Sequence, residues 1–399
     1  MQYRTKSRQR SRRAISYPAL VRLCLSFPKG ICVLLESPKL LAIFIFILTL
    51  TVQSQAQWEI EDSHTTASLR GIDSVGDGVA WASGTNGTIL RTEDGGYVWQ
   101  LCAIPPGAEK LDFRGIQAFD ANTAIVMSSG KGDLSRLYKT TDGCQTWKLI
   151  FTNPDKDGFW DAIQLSSFSG LFSGPLVGDP VDGKFPIWWI VPSYESPANA
   201  KEEVKARNGE AAFAASNSAI FAYSEFFWLG TGGTAGSRII RKKIYGGDGI
   251  GWISYPSSDV PVGSQTESSG IFSLAFAIDD IRQPSPKRGV AVGGDYRKPD
   301  NASSIAAFTT NSGRTWQAAK TQPYGYRSAV AYDAQQKLWI TVGPNGTDVS
   351  RDDGRNWTPL KPTKEDTPGA DKNWNALSLP FVVGPNGRIG KLRPTALNP

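Results

Sequence analysis

Thr92-Glu93-Asp94-Gly95-Gly96-Tyr97-Val98-Trp99 recurs with variation as Thr140-Thr141-Asp142-Gly143-Cys144-Gln145-Thr146-Trp147, Thr309-Thr310-Asn311-Ser312-Gly313-Arg314-Thr315-Trp316 and Ser350-Arg351-Asp352-Asp353-Gly354-Arg355-Asn356-Trp357. Each copy places a hydroxyl residue, an acid or amide, a glycine and a tryptophan in one order. An Asp or Asn side chain bonds the backbone two residues on, Gly accepts positive φ, and Trp closes the turn with apolar area. Each therefore predicts a tight turn between two strands. Cys144 takes a glycine position and Asn311 an aspartate position. Four copies of one turn make the chain repetitive.

The pattern resembles the Asp-box, or bacterial neuraminidase repeat, of β-propellers. Seven units follow when each is aligned on an apolar inner strand, beginning near Leu69-Arg70-Gly71-Ile72, Phe113-Arg114-Gly115-Ile116, Trp160-Asp161-Ala162-Ile163, Gly209-Glu210-Ala211-Ala212, Gly270-Ile271-Phe272-Ser273, Tyr326-Arg327-Ser328-Ala329 and Trp374-Asn375-Ala376-Leu377. Most intervals suit a four-stranded blade. The expected fold is all-β, a seven-bladed β-propeller of four-stranded antiparallel blades. Gly84-Thr85-Asn86-Gly87, Gly343-Pro344-Asn345-Gly346 and Gly384-Pro385-Asn386-Gly387 supply minimal Asn-Gly hairpins. The seventh unit stops after its third strand, Arg388 to Leu392. Gln57 to Glu61 is expected to add the missing outer strand and so remove a free edge. The third and fourth units lack the repeated turn, and Ile190 to Arg207 reads as a loop excursion. Asn199 to Glu210, the one helix candidate, reads as part of that insertion.

Of 43 Lys and Arg and 37 Asp and Glu, residues 1–56 hold nine bases and one acid. The remainder carries 34 against 36, so the basic balance belongs to the leader and nucleic acid is not an expected partner. The leader joins Arg4, Lys6, Arg8, Arg10, Arg12 and Arg13 to an apolar run, Leu40 to Val52, and then to Gln53-Ser54-Gln55-Ala56. That run is short for a membrane span and suits a signal peptide cleaved after Ala56. Two domains follow, a leader over 1–56 and a propeller over 57–399. The expected location is periplasmic or extracellular. Routing to a thylakoid lumen and a retained membrane anchor are the alternatives. Cys102 and Cys144 remain in the mature chain, either paired or as two buried thiols. The single His64 builds neither a zinc centre nor a Ser-His-Asp triad, and no metal or cofactor is expected.

In a propeller with these turns on one face, recognition is expected on the other, at the inner-strand starts and the loops after second strands. The starts carry Arg70, Arg114, Asp161, Glu210, Arg327 and Asn375, read as a polar ring at one channel mouth. The loops Ser128 to Arg136, Ser173 to Lys184, Gly230 to Arg238 and Gly293 to Ser303 form a lip, with Asp295, Tyr296 and Arg297 in the last. Guanidinium forks suit carboxylates, so an acidic ligand or protein segment is the expected occupant. A mutually satisfied salt-bridge ring is the other reading. Asp94, Asp142 and Asp352 are assigned to turns. Gly230-Thr231-Gly232-Gly233-Thr234-Ala235-Gly236 has no helix behind it and is not a nucleotide loop.

Trp81-Ala82-Ser83-Gly84 followed by Gly87-Thr88-Ile89-Leu90-Arg91-Thr92-Glu93-Asp94-Gly95-Gly96 resembles the photosystem II stability/assembly factor family of exported seven-bladed propellers, within the wider YVTN/BNR-like repeat superfamily. The resemblance implies a non-enzymatic binder that grips membrane-protein precursors through an arginine-rich surface, echoed here by Arg70, Arg114 and Arg327; a monomer is expected. The rival reading is an exo-acting glycosidase of sialidase or xyloglucanase type, with Asp161, Glu210 and Tyr296 as catalytic residues and a carbohydrate as partner. An Arg-Ile-Pro motif, which sialidases carry, is missing near the mature N-terminus.

Overall fold

A computed structural model describes residues 57–168, 171–192, 197–245 and 251–397. The leader reading falls outside these residues. Among them, no helix is long and apolar enough to cross a membrane.

Seven four-stranded antiparallel blades follow one another in a ring. Their inner strands are Leu69–Gly76, Phe113–Ala118, Trp160–Ile163, Ile220–Tyr223, Ser269–Phe276, Ala329–Asp333 and Ala376–Ser378. The core is divided among the seven blade junctions, each filled by apolar side chains from both neighbours. At the first, Trp81 and Ile89 of blade 1 pack on Phe113, Ile116 and Tyr138 of blade 2. Short polar side chains clasp neighbouring inner strands. Asp73 accepts the Ala118 N–H at 2.8 Å, Gln117 the Leu165 N–H at 3.1 Å, Gln164 the Ala222 N–H at 2.7 Å and Ser273 the Val330 N–H at 2.9 Å.

Closure is as the sequence predicts. Trp58–Glu61 pairs antiparallel with Ile389–Leu392 as the outer strand of blade 7. The repeated turns also stand between third and outer strands, with a bonding scheme that differs from the sequence reading. Thr92 Oγ1 donates to Asp94 Oδ1 (2.9 Å) and accepts the Gly96 N–H (3.0 Å), while Asp94 Oδ1 accepts the Val98 N–H (3.0 Å). The carboxylate thus reaches four residues on, because the threonine hydroxyl already spans the shorter step. Cys144 keeps the scheme at φ 65°, where the other copies have glycine. Its sulfur is bonded to Cys102, which settles the open cysteine question and ties blades 1 and 2 across a sequence separation of 42 residues. A loop of that size stabilises the fold by roughly 4 kcal/mol in the chain-entropy model.

Two expectations need correction. The segment Ile190 to Arg207 is not a loop: its described residues belong mainly to the hairpin of Lys184–Pro192 with Pro197–Lys205, which completes blade 3. Lys201 and Glu203 belong to an outermost strand, which carries charge to blunt its open edge. Lys201 stands over the Trp188 ring (5.1 Å) and pairs with Asp155 (3.2 Å). Nor does Gly209-Glu210-Ala211-Ala212 begin the fourth inner strand. Glu210–Ala211 instead pairs with Gly232–Gly233 as an extension of the blade 5 sheet.

Asp73 gives the fold a pH dependence. Burial pushes its carboxyl up to about 7, against weaker opposing bonds from Ala118 and Gln117. A raised folded-state pKa means its contribution is complete below pH ~4 and is lost as pH rises through 7. Asp73→Asn removes that loss. The side chain is half-buried, so solvent screening reduces the roughly 4 kcal/mol of a full shift to about 2 kcal/mol. Urea titrations should show the variant more stable than wild type at pH 8 and equal to it near pH 4. Equal stability at pH 8 would remove Asp73 as the source.

Candidate functional site: the channel mouth

The face opposite the repeated turns begins with three inner strands whose second residues are Arg70, Arg114 and Asp161. Asp112, one residue ahead of the blade 2 strand, stands between the two arginines. Its Oδ1 lies 3.2 Å from Arg70 Nε and its Oδ2 2.8 Å from Arg114 Nε. One carboxylate therefore serves two guanidiniums, and one positive charge is left over. Burial depresses the Arg70 pKa, Asp112 opposes the shift and the Arg114 charge adds to it. Both arginine side chains keep more than a quarter of their surface exposed.

Of the acids beside them, Asp161 does little to cancel that charge. Asp161 is buried, and its carboxyl is raised well above the carboxylate range by burial and then by repulsion from Asp179, with Arg114 opposing. Asp179 is itself pushed up to about 6 by burial, while accepting the Ala212 N–H at 3.1 Å. Blade 3 thus contributes one carboxyl, Asp161, biased toward its neutral form, and a second, Asp179, that titrates just below neutrality.

The segment ahead of the fourth inner strand lies across the middle of the ring. Ala214 O accepts from Arg114 Nη1 (3.1 Å), Ser216 Oγ donates to Ser328 O of blade 6 (2.8 Å), Asn217 Oδ1 accepts the Ile163 N–H of blade 3 (2.8 Å), and Ser218 Oγ donates to Ser273 of blade 5 (2.7 Å). Only small side chains fit there, which is why this stretch reads Ala-Ala-Phe-Ala-Ala-Ser-Asn-Ser. Its one large residue, Phe213, stacks on Phe272 at 4.1 Å. Phe272 meets Tyr326 at 4.8 Å and Tyr296 at 6.0 Å, both edge-on, and Arg297 stands 5.8 Å over the Tyr296 ring. The mouth has a cationic side at Arg70 and Arg114 and an aromatic side at Tyr296 and Arg297.

The other residues expected in the ring have partners of their own. Arg327 is 1% exposed and paired through Nε and Nη2 with Asp348 of the third strand of its blade, Gly346–Ser350. Both oxygens of Glu210 are engaged: Oε1 by Arg238 (2.6 Å) and Thr231 (2.6 Å), Oε2 by Arg238 (2.7 Å) and the Arg207 N–H (2.8 Å). With its side chain fully enclosed, Glu210 has no oxygen free for a glycosidic bond. Asn375 Nδ2 donates to Leu69 O at 2.8 Å and joins blades 7 and 1. Asp295 accepts from Ser268 (2.7 Å), Thr266 (3.0 Å) and the Arg297 N–H (3.0 Å), which fixes the loop that presents Tyr296. Sequence reasoning missed Asp112 and Phe213. The first was legible as an acid one residue before the Phe113-Arg114 register.

No protein-family model matches the chain, and no curated protein matches it. Solved propellers do match. YCF48 bound to D1 peptide has a TM-score of 0.52 at 16% identity, covering 85% of this chain and 97% of its own. U3-55K has a TM-score of 0.52 at 13% identity, covering 84% and 98%. The WD40 propeller domain of Doa1 has 0.51 at 10%, covering 86% and 99%. Near-equal similarity to three differently named proteins at such low identity shows a shared propeller fold and leaves the activity to the site itself.

Proposed function

We propose that this chain is an exported, non-catalytic binding propeller of the assembly-factor kind, which takes an acidic segment of a partner protein at the channel mouth. The observation that carries the reading is the Arg70–Asp112–Arg114 cluster. Two part-exposed guanidinium groups share one carboxylate beside a buried Asp161 that favours its neutral form, so an incoming carboxylate completes the charge balance. The aromatic side at Tyr296 offers apolar area to the rest of the segment. YCF48, a propeller of the same fold, is solved with a peptide bound, which supports a protein segment as the ligand class. The Cys102–Cys144 disulfide and the apolar run at Leu40 to Val52 support export.

Fluorescence anisotropy with a labelled oligo-aspartate peptide tests the receptor. Arg70→Ala with Arg114→Ala is expected to weaken binding by about tenfold or more, equivalent to ~1.4 kcal/mol or greater. Both side chains are partly exposed and the pairs they make with Asp112 are screened, so the unfolding free energy should hold to within about 1 kcal/mol. Equal affinity in the double variant and wild type would overturn the assignment.

A further inference from the structure

We propose a second binding site on the opposite face, between blades 4 and 5, that takes a small oxyanion: a phosphoryl or sulfuryl group, free or as the monoester of a flat ring. The cleft has a volume of about 260 Å³ and lies beside the repeated turn of blade 5. Arg241 and Arg314 both line it, and no carboxylate does. Among the described residues neither arginine forms an ion pair.

Arg241 is held as a fixed fork. Its guanidinium lies 4.6 Å over the Tyr255 ring, and Nη1 donates to Ser312 O at 3.2 Å. Its Nε is buried and has no hydrogen-bond partner. The hydroxyls of Ser285 and Ser312 bond each other at 3.2 Å on the same cleft, which leaves one O–H of the two to donate to an oxyanion. Phe226 and Trp228 wall the remaining space, 5.8 Å apart. A carboxylate nearby, Glu225, is taken by Lys243 at 3.0 Å, and that ammonium stands 5.7 Å over the Phe226 ring. Burial, and then the Arg314 charge, depress the Arg241 pKa, with Tyr255 opposing, so the two cations repel with no carboxylate between them. A bound oxyanion would accept from both and remove that repulsion. This site is independent of Arg70 and Arg114, which belong to the other face.

Isothermal titration calorimetry on the full chain with inorganic phosphate, phenyl phosphate and phenyl sulfate tests the proposal. Wild type should bind phenyl phosphate, and Arg314→Gln should weaken it about tenfold or more. Arg314 is exposed, so this variant is expected to keep the wild-type urea midpoint. Arg241→Lys, which keeps the charge and loses the fork, should also weaken binding. Tighter binding of the phenyl esters than of inorganic phosphate assigns a ring-borne monoester, and equal binding assigns the free anion. Absence of binding by all three probes in wild type, or the same affinity in Arg314→Gln, would overturn the site. Arg70→Ala with Arg114→Ala should leave these affinities unchanged.

Discussion

Trp58→Ala is expected to cost about 3 to 5 kcal/mol of stability, read as a drop in the urea midpoint at constant slope. Trp58 is 3% exposed and stacks on Trp374 at 5.8 Å between ring centroids. Its backbone N–H is accepted by Asp366 Oδ1 at 2.7 Å, which fixes the strand as well as the ring. Three residues later Glu61 Oε2 accepts from Trp99 Nε1 at 2.6 Å, so the same short strand also holds blade 1. Deleting residues 57–61 removes all of these and leaves Ile389–Leu392 as an unpaired edge. The deletion should therefore aggregate as well as unfold early, which light scattering during refolding would record. An unfolding free energy within about 1 kcal/mol of wild type for Trp58→Ala would mean that blade 7 closes without it.

Closure was legible in the sequence for the same reason that it matters energetically: a seventh unit ending at Leu392 lacks a strand, and a short strand-like segment waits at the other end. The blades were legible because turn chemistry is local, with hydroxyl, acid and positive-φ residues within a few positions of one another. What could not be read was long-range. The partner of Arg327 is Asp348, 21 residues on and two strands across, and only the folded register brings them together. Glu210 looked like a ring residue because Glu-Ala-Ala fits the polar-small-apolar grammar of an inner strand. Its chain turns instead into the small-residue segment that crosses the channel, and its charge goes to Arg238. The charged outer strand of blade 3 was mistaken for a loop because a sheet edge facing solvent and a loop make similar demands on composition. Three arginines at one register thus divide into two with exposed surface and one in the core.

That division carries the second large effect. Arg327→Ala is expected to cost about 3 to 5 kcal/mol, because it strips the guanidinium from a buried carboxylate. Arg327 and Asp348 are each 1% exposed, and Asp348 Oδ1 has no hydrogen-bond partner even with the arginine present. Replacing the pair together, as Arg327→Met with Asp348→Leu, should recover most of the loss, since neither charge then remains in the core. A urea series on the three variants separates the outcomes. If Arg327→Ala unfolds like wild type yet lowers affinity for the oligo-aspartate probe, Arg327 belongs to the receptor and the buried-pair account is wrong. If it destabilises while the Arg70 and Arg114 variant does not, the cationic side of the mouth rests on two arginines, with Asp112 as the counter-ion that an arriving carboxylate must share.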